Sequence, residues 1–103
     1  MSAEAQIGMV GLAVMGRNLS LNLHDHGVPV AGYNLEPELT ERAVAESEGR
    51  LAAAESLEAL VAKLARPRKL WMMIRAGDPV DQVLGQLAPL LDPGDIVIDG
   101  GNS

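Results

Sequence analysis

No cysteine occurs in the 103 residues, so the chain has neither a disulfide framework nor thiolate chemistry. Phenylalanine is absent too. Tyr33 and Trp71 are the only aromatic side chains, so a core has to be assembled from Leu, Val, Ile, Ala and Met. Positive charge is scarce: eight Lys and Arg stand against fourteen Asp and Glu, a formal net charge of −6. That balance argues against nucleic acid or an anionic membrane surface as a partner. An anionic ligand must then be held by local backbone dipoles, not by the overall field. No apolar run approaches the roughly 20 residues of a membrane span, and the N-terminus lacks the basic-then-apolar order of a signal peptide. A cytoplasmic protein is expected. What is abundant is aliphatic: 48% of the residues are apolar, enough for a core in a single domain covering 1–103.

The strongest local pattern is Ile7-Gly8-Met9-Val10-Gly11-Leu12-Ala13-Val14-Met15-Gly16. An apolar run feeds into Gly11-x-Ala13-x-x-Gly16, and a helical pattern follows. A dinucleotide-binding turn needs that order. Gly11 lets the chain leave a strand in a tight turn, the small Ala13 lets backbone approach a pyrophosphate, and Gly16 lets the new helix pack close. The pyrophosphate would rest on the helix N-terminus, at the positive end of its dipole. Alone, this turn is equally compatible with an ordinary strand-turn-helix.

Strand and helix alternate along the rest. Strands are expected over 6–10, 28–33, 50–53, 70–74 and 95–98, and helices over 14–26, 37–47, 57–65 and 78–90. Met15, Leu19 and Leu23 recur at four-residue spacing, and Gly27 stops the first helix. Pro37 suits a first helical position, Ser56 can cap the third helix, and Asp92-Pro93-Gly94 is a turn. Strands joined by helical crossovers imply an α/β fold: a Rossmann-type, doubly wound and mostly parallel sheet of about five strands in the order 3-2-1-4-5. Ligands of such sheets bind at the carboxyl ends of the strands. The last strand is also expected to leave an edge and an apolar face exposed, favouring self-association into a homo-oligomer.

Three segments together go beyond a glycine turn: Ile7-Gly8-x-x-Gly11-Leu12-Ala13-Val14-Met15-Gly16-x-Asn18-Leu19, Ala76-Gly77, and Leu90-Leu91-Asp92-x-Gly94-Asp95-Ile96-x-Ile98-Asp99-Gly100-Gly101-Asn102-Ser103. Their order and spacing resemble the N-terminal part of 6-phosphogluconate dehydrogenase. The resemblance implies an NAD(P)-binding domain of an oxidoreductase of the pentose phosphate pathway, one that oxidises and decarboxylates 6-phosphogluconate to ribulose 5-phosphate. It implies that Leu12 to Gly16 hold the pyrophosphate, that Ala76 belongs to the cofactor site, that Asn102 reaches the nicotinamide and the substrate, and that Ser103 edges the same pocket. The family's catalytic lysine and glutamate would lie beyond residue 103. The chain therefore resembles a cofactor half that is not catalytic alone and meets 6-phosphogluconate only with a further domain. A stand-alone nucleotide-binding module and a related β-hydroxyacid dehydrogenase are the alternatives.

One departure bears on the cofactor. NADP-using members typically read Asn-Arg-Thr after the second strand, whereas this chain reads Asn34-Leu35-Glu36. Glu36 suits a ribose 2′-hydroxyl and repels a 2′-phosphate, so NAD is expected over NADP; Arg75 is the cation that would restore a positive contact. Glu36 reads equally well as a solvated carboxylate at a helix start. His24 and His26 sit at a helix C-terminus, which favours the protonated imidazole; two histidines at i, i+2 do not share a face, and no metal role is assigned. Lys63, Arg66, Arg68 and Lys69 read as a solvated basic cap.

Overall fold

The computed structural model describes residues 4–75 and 77–100. Its centre is a five-stranded sheet, all pairs parallel, in the order β3-β2-β1-β4-β5. The strands are β1 (Ile7–Val10), β2 (Val30–Tyr33), β3 (Ala52–Ala53), β4 (Lys69–Met72) and β5 (Ile96–Asp99). The helices are α1 (Val14–Asp25), α2 (Pro37–Glu46), α3 (Leu57–Ala62) and α4 (Asp78–Leu87). The expected α/β order is therefore the observed one.

Alternation along the central strands supplies both faces of the sheet. Met9 and Val30 point into a layer with Leu12, Leu51, Ala43 of α2, and Leu19 and Leu23 of α1. Val10, Leu70 and Met72 point into the other layer, with Leu57, Leu60 and Val61 of α3 and Val80 and Leu87 of α4. Arg17 on α1 lies almost buried with its Nε 3.0 Å from Glu46 Oε1 on α2, which ties the two helices of one layer together.

Several boundaries differ from expectation for identifiable reasons. The third strand shrinks to Ala52–Ala53, both exposed at the sheet edge, since alanine gives a strand little to pack. The fourth strand stops at Met72, although the Met73 N–H still donates to the Val10 carbonyl at 2.7 Å. The third helix ends at Ala62, and Pro89 lies in a 3-10 turn, Ala88–Leu90, that follows α4. In α1, Leu19 and Leu23 pack inward as expected, but Met15 is 54% exposed because its turn lies at the open rim of the sheet. On β5, Ile96 and Ile98 are exposed, so the expected apolar surface is present there.

The basic cluster needs correction. Arg68 is not a solvated cap: its side chain is only 12% exposed, with Nη1 3.3 Å from both Asp92 Oδ2 and Asp95 Oδ2. The same nitrogen donates to the Leu90 carbonyl. Asp95 in turn accepts the backbone N–H groups of Arg68 at 2.7 Å and Asp92 at 2.8 Å, locking the turn before β5 to the segment before β4. The Asp92 N–H, then the Arg68 N–H and guanidinium, hold the Asp95 carboxyl below its ordinary range against an opposing effect of burial. A carboxyl depressed in the folded state stabilises fully above its unfolded value and loses that contribution as pH falls through the folded value. Thermal unfolding midpoints should therefore drop as pH falls below about 4, and Asp95→Asn should flatten that part of the profile. An unchanged acid profile in Asp95→Asn would contradict this role.

Candidate functional site

Three chain segments meet at the carboxyl edge of the sheet: the turn after β1, the residues after β2 and the residues after β4. The turn is built on two glycines. Gly11 takes φ +100°, and a Cβ there would lie 2.6 Å from the Met73 carbonyl oxygen. A Cβ on Gly16 would overlap the Gly11 carbonyl oxygen, so α1 starts pressed directly onto the turn. Ala13 is the N-cap and offers no side-chain cap bond, and the first turn of α1 carries no acidic residue. Backbone N–H groups in a helix's first turn lack intrahelical acceptors. An uncapped, acid-free helix start is electrostatically prepared for an anion.

A cleft of about 450 Å³ opens over this turn, and Gly11, Ala13, Asn34, Leu35, Glu36 and Arg75 all line it. Val14, Met15, Arg75 and Gly100 line an adjoining recess of about 380 Å³. Six of the expected cofactor residues thus converge in one cleft, and two more border it. Leu12 and Gly16 line neither. Leu12 is fully buried, and its N–H donates to Asn34 Oδ1 at 2.8 Å. Gly16 acts by close packing. Ala76, Asn102 and Ser103 lie outside the described residues.

Leu35 is 83% exposed and carries no charge to the rim. Glu36 is the N-cap of α2, exposed, with no side-chain cap bond. The carboxylate is therefore open to the cleft rather than consumed by its own helix. Arg75, exposed on the opposite wall, is the one cation lining the cleft among the described residues.

Sequence reasoning missed part of the wall. Pro79, Gln82, Val83 and Gln86 of α4 line the cleft, as do Met73 and Ile74 after β4. The signal was available: the four α4 positions fall at i, i+3, i+4 and i+7, one helix face beginning at the strand edge where ligands bind. The histidine reading also changes. Burial, with help from Arg50, pushes the His24 imidazole below its ordinary range against the pull of Asp25, so the neutral ring is favoured despite the helix terminus. No group of three His, Cys, Asp or Glu able to hold a metal occurs among the described residues. No helix among them is long and apolar enough to cross a membrane.

A second cavity, about 460 Å³, lies between Ala5, Pro29, Val30 and Lys63, at the amino edge of the sheet. No glycine turn opens on it, and open parallel sheets bind ligands at the other edge, which leaves the cleft over the Gly11 turn as the candidate site.

Residues 6–103 match the family described as the NAD binding domain of 6-phosphogluconate dehydrogenase. The chain is 52% identical over 102 residues to the decarboxylating 6-phosphogluconate dehydrogenase of Chlamydia pneumoniae, covering 97% of this chain and 21% of that protein. It is 52% identical to decarboxylating 6-phosphogluconate dehydrogenase 2 of Saccharomyces cerevisiae, covering 98% of this chain and 21% of that one. The chain thus spans about one fifth of the length of these curated relatives. Among solved structures, the Plasmodium falciparum 6-phosphogluconate dehydrogenase, described in apo form and in complex with NADP+ and with 6-phosphogluconate, superposes with a TM-score of 0.89 at 37% identity. That match covers 96% of this chain and 22% of the other. A 3-hydroxyisobutyrate dehydrogenase of Mycobacterium tuberculosis, at 24% identity and TM-score 0.81 over 96% of this chain and 32% of that one, shares the fold.

Proposed function

Because this chain belongs to the family of NAD-binding domains of 6-phosphogluconate dehydrogenase, we propose that it is the dinucleotide-holding part of an enzyme that oxidises and decarboxylates 6-phosphogluconate. The observation that carries the reading is the interlocked pair Gly11 and Gly16, whose missing Cβ atoms leave backbone in contact where a side chain would stand. That cradle fits a pyrophosphate lying across the start of α1. When bound, the nicotinamide supplies the hydride-accepting chemistry. The chain's own residues bind and orient. The start of α1, with no side-chain cap from Ala13 and no acidic residue in its first turn, turns the positive end of its dipole toward the phosphates. The residues after β2 meet the adenosine ribose, and the recess beside Val14, Met15 and Gly100 offers a mostly apolar seat for a planar ring. None of the described residues in the cleft is a lysine or histidine placed to move a proton, and Asn102 and Ser103 are proposed to meet the substrate.

Glu36 and Leu35 further support NAD over NADP. Both stand where a 2′-phosphate would need a cation. Arg75 on the far wall is the competing contact.

Titration of the chain with NAD and NADP in parallel tests this reading. Saturable binding is expected, tighter for NAD, with no turnover of 6-phosphogluconate by the chain alone. Binding of neither dinucleotide would overturn the assignment, and cofactor-dependent turnover would show that the proton-moving groups are present after all.

A further inference from the structure

We propose that Asn34 is a positioning residue whose one amide fixes the phosphate turn to the loop that reads the ribose. The inference rests on the cofactor reading above. The β1–β2 ladder ends with the Gly11 N–H donating to the Tyr33 carbonyl at 2.8 Å. Beyond the end of β1, the next N–H, that of fully buried Leu12, donates not to backbone but to Asn34 Oδ1, at 2.8 Å. The side chain thus ties the two chain segments together just past the end of the ladder, where Gly11 has turned the backbone out of the sheet. Its other end is used as well: Nδ2 donates to the Glu36 carbonyl at 3.1 Å. Since Leu12 N–H is a donor, the amide orientation is fixed, with oxygen toward the turn and nitrogen toward the loop.

Two consequences follow. The Leu12 N–H is engaged within the protein, so phosphate recognition falls to the start of α1. The segment 34–36, with Glu36 in it, is held at a set distance from that start. Discrimination at the ribose therefore depends on Asn34 without Asn34 touching the 2′ position.

Asn34→Ala removes both bonds, whereas Asn34→Asp keeps an acceptor for Leu12, loses the donor and adds a negative charge beside the phosphate turn. In the Ala variant, NAD affinity should fall about tenfold, as expected for a lost hydrogen-bonded constraint. The ratio of NADP to NAD dissociation constants should collapse toward one, and exchange of the Leu12 amide proton should accelerate. Asn34→Asp should restore slow Leu12 exchange, while its added charge keeps the affinity for both dinucleotides low. A purely structural role would lower the melting temperature yet leave the ratio intact. Either unchanged NAD affinity or an unchanged ratio in a folded Ala variant overturns this role alone. Failure of the unmodified chain to bind either dinucleotide overturns the cofactor reading and this role with it.

Discussion

Gly16→Val is expected to abolish measurable dinucleotide binding and to lower the thermal unfolding midpoint sharply. Replacing a helical glycine normally stabilises by about 0.5–1 kcal/mol through the unfolded chain. Here the sign reverses. Even a Cβ at this position overlaps the Gly11 carbonyl oxygen, lies 2.9 Å from the carbonyl carbon and meets Met73 Cβ at 3.3 Å. The obstructing atoms are backbone, and Gly11 is itself confined by Met73, so relief requires α1 to lift from the turn. Overpacking of this kind costs about 1–3 kcal/mol, which for a domain of this size lowers the midpoint by roughly 5–20 °C. Titration by calorimetry and a melting curve check both effects. Wild-type affinity and midpoint in Gly16→Val would place the phosphate turn elsewhere.

Leu35→Arg combined with Glu36→Thr is expected to reverse the proposed cofactor preference. In the unmodified chain, a carboxylate about 4 Å from a 2′-phosphate would cost on the order of 1–4 kcal/mol between bulk-water and protein-surface screening, or roughly tenfold or more in affinity. The double variant removes that repulsion and supplies a guanidinium able to grip phosphate in a bidentate way. Leu35 is already solvent-facing, so the arginine enters without repacking the core. Parallel titrations should show NADP gaining at least tenfold relative to NAD. Tighter NADP binding by the unmodified chain would transfer the 2′-phosphate contact to Arg75, and Arg75→Ala would then remove it.

What could be read in the sequence was what repeats or turns locally. The parallel strands, the helices between them and the glycine turn all follow from short-range patterns: period two, period 3.6, and residues suited to special backbone geometry. What escaped was contact between residues distant in the chain. Arg68 meets Asp95 across 27 positions, and Asn34 meets Leu12 across 22. No periodicity connects them. Arg68 looked like one of four solvated cations, and Asn34 like a residue reserved for the ligand, because composition shows a charge or an amide without showing its partner. Leu12 illustrates the same limit. Its place inside the motif suggested a phosphate contact, yet its side chain is core and its N–H is satisfied within the fold.

The poverty in aromatic residues has an optical consequence. Trp71 is the sole indole, and Tyr33 is the one other aromatic ring. The Trp71 ring packs against the Met9 and Leu12 layer, and its Nε1 is buried without a hydrogen-bond partner among the described residues. A Cβ on Gly100 would overlap that nitrogen, so the indole edge sits directly behind the backbone that borders the recess with Val14 and Met15. The emission of a half-buried indole depends on how far water reaches its edge. Anything that shifts Gly100 changes the solvation of that edge. The chain therefore carries one indole set behind the Gly100 backbone, and a shift of its emission on titration with NAD is the expected label-free signal of occupancy of that recess.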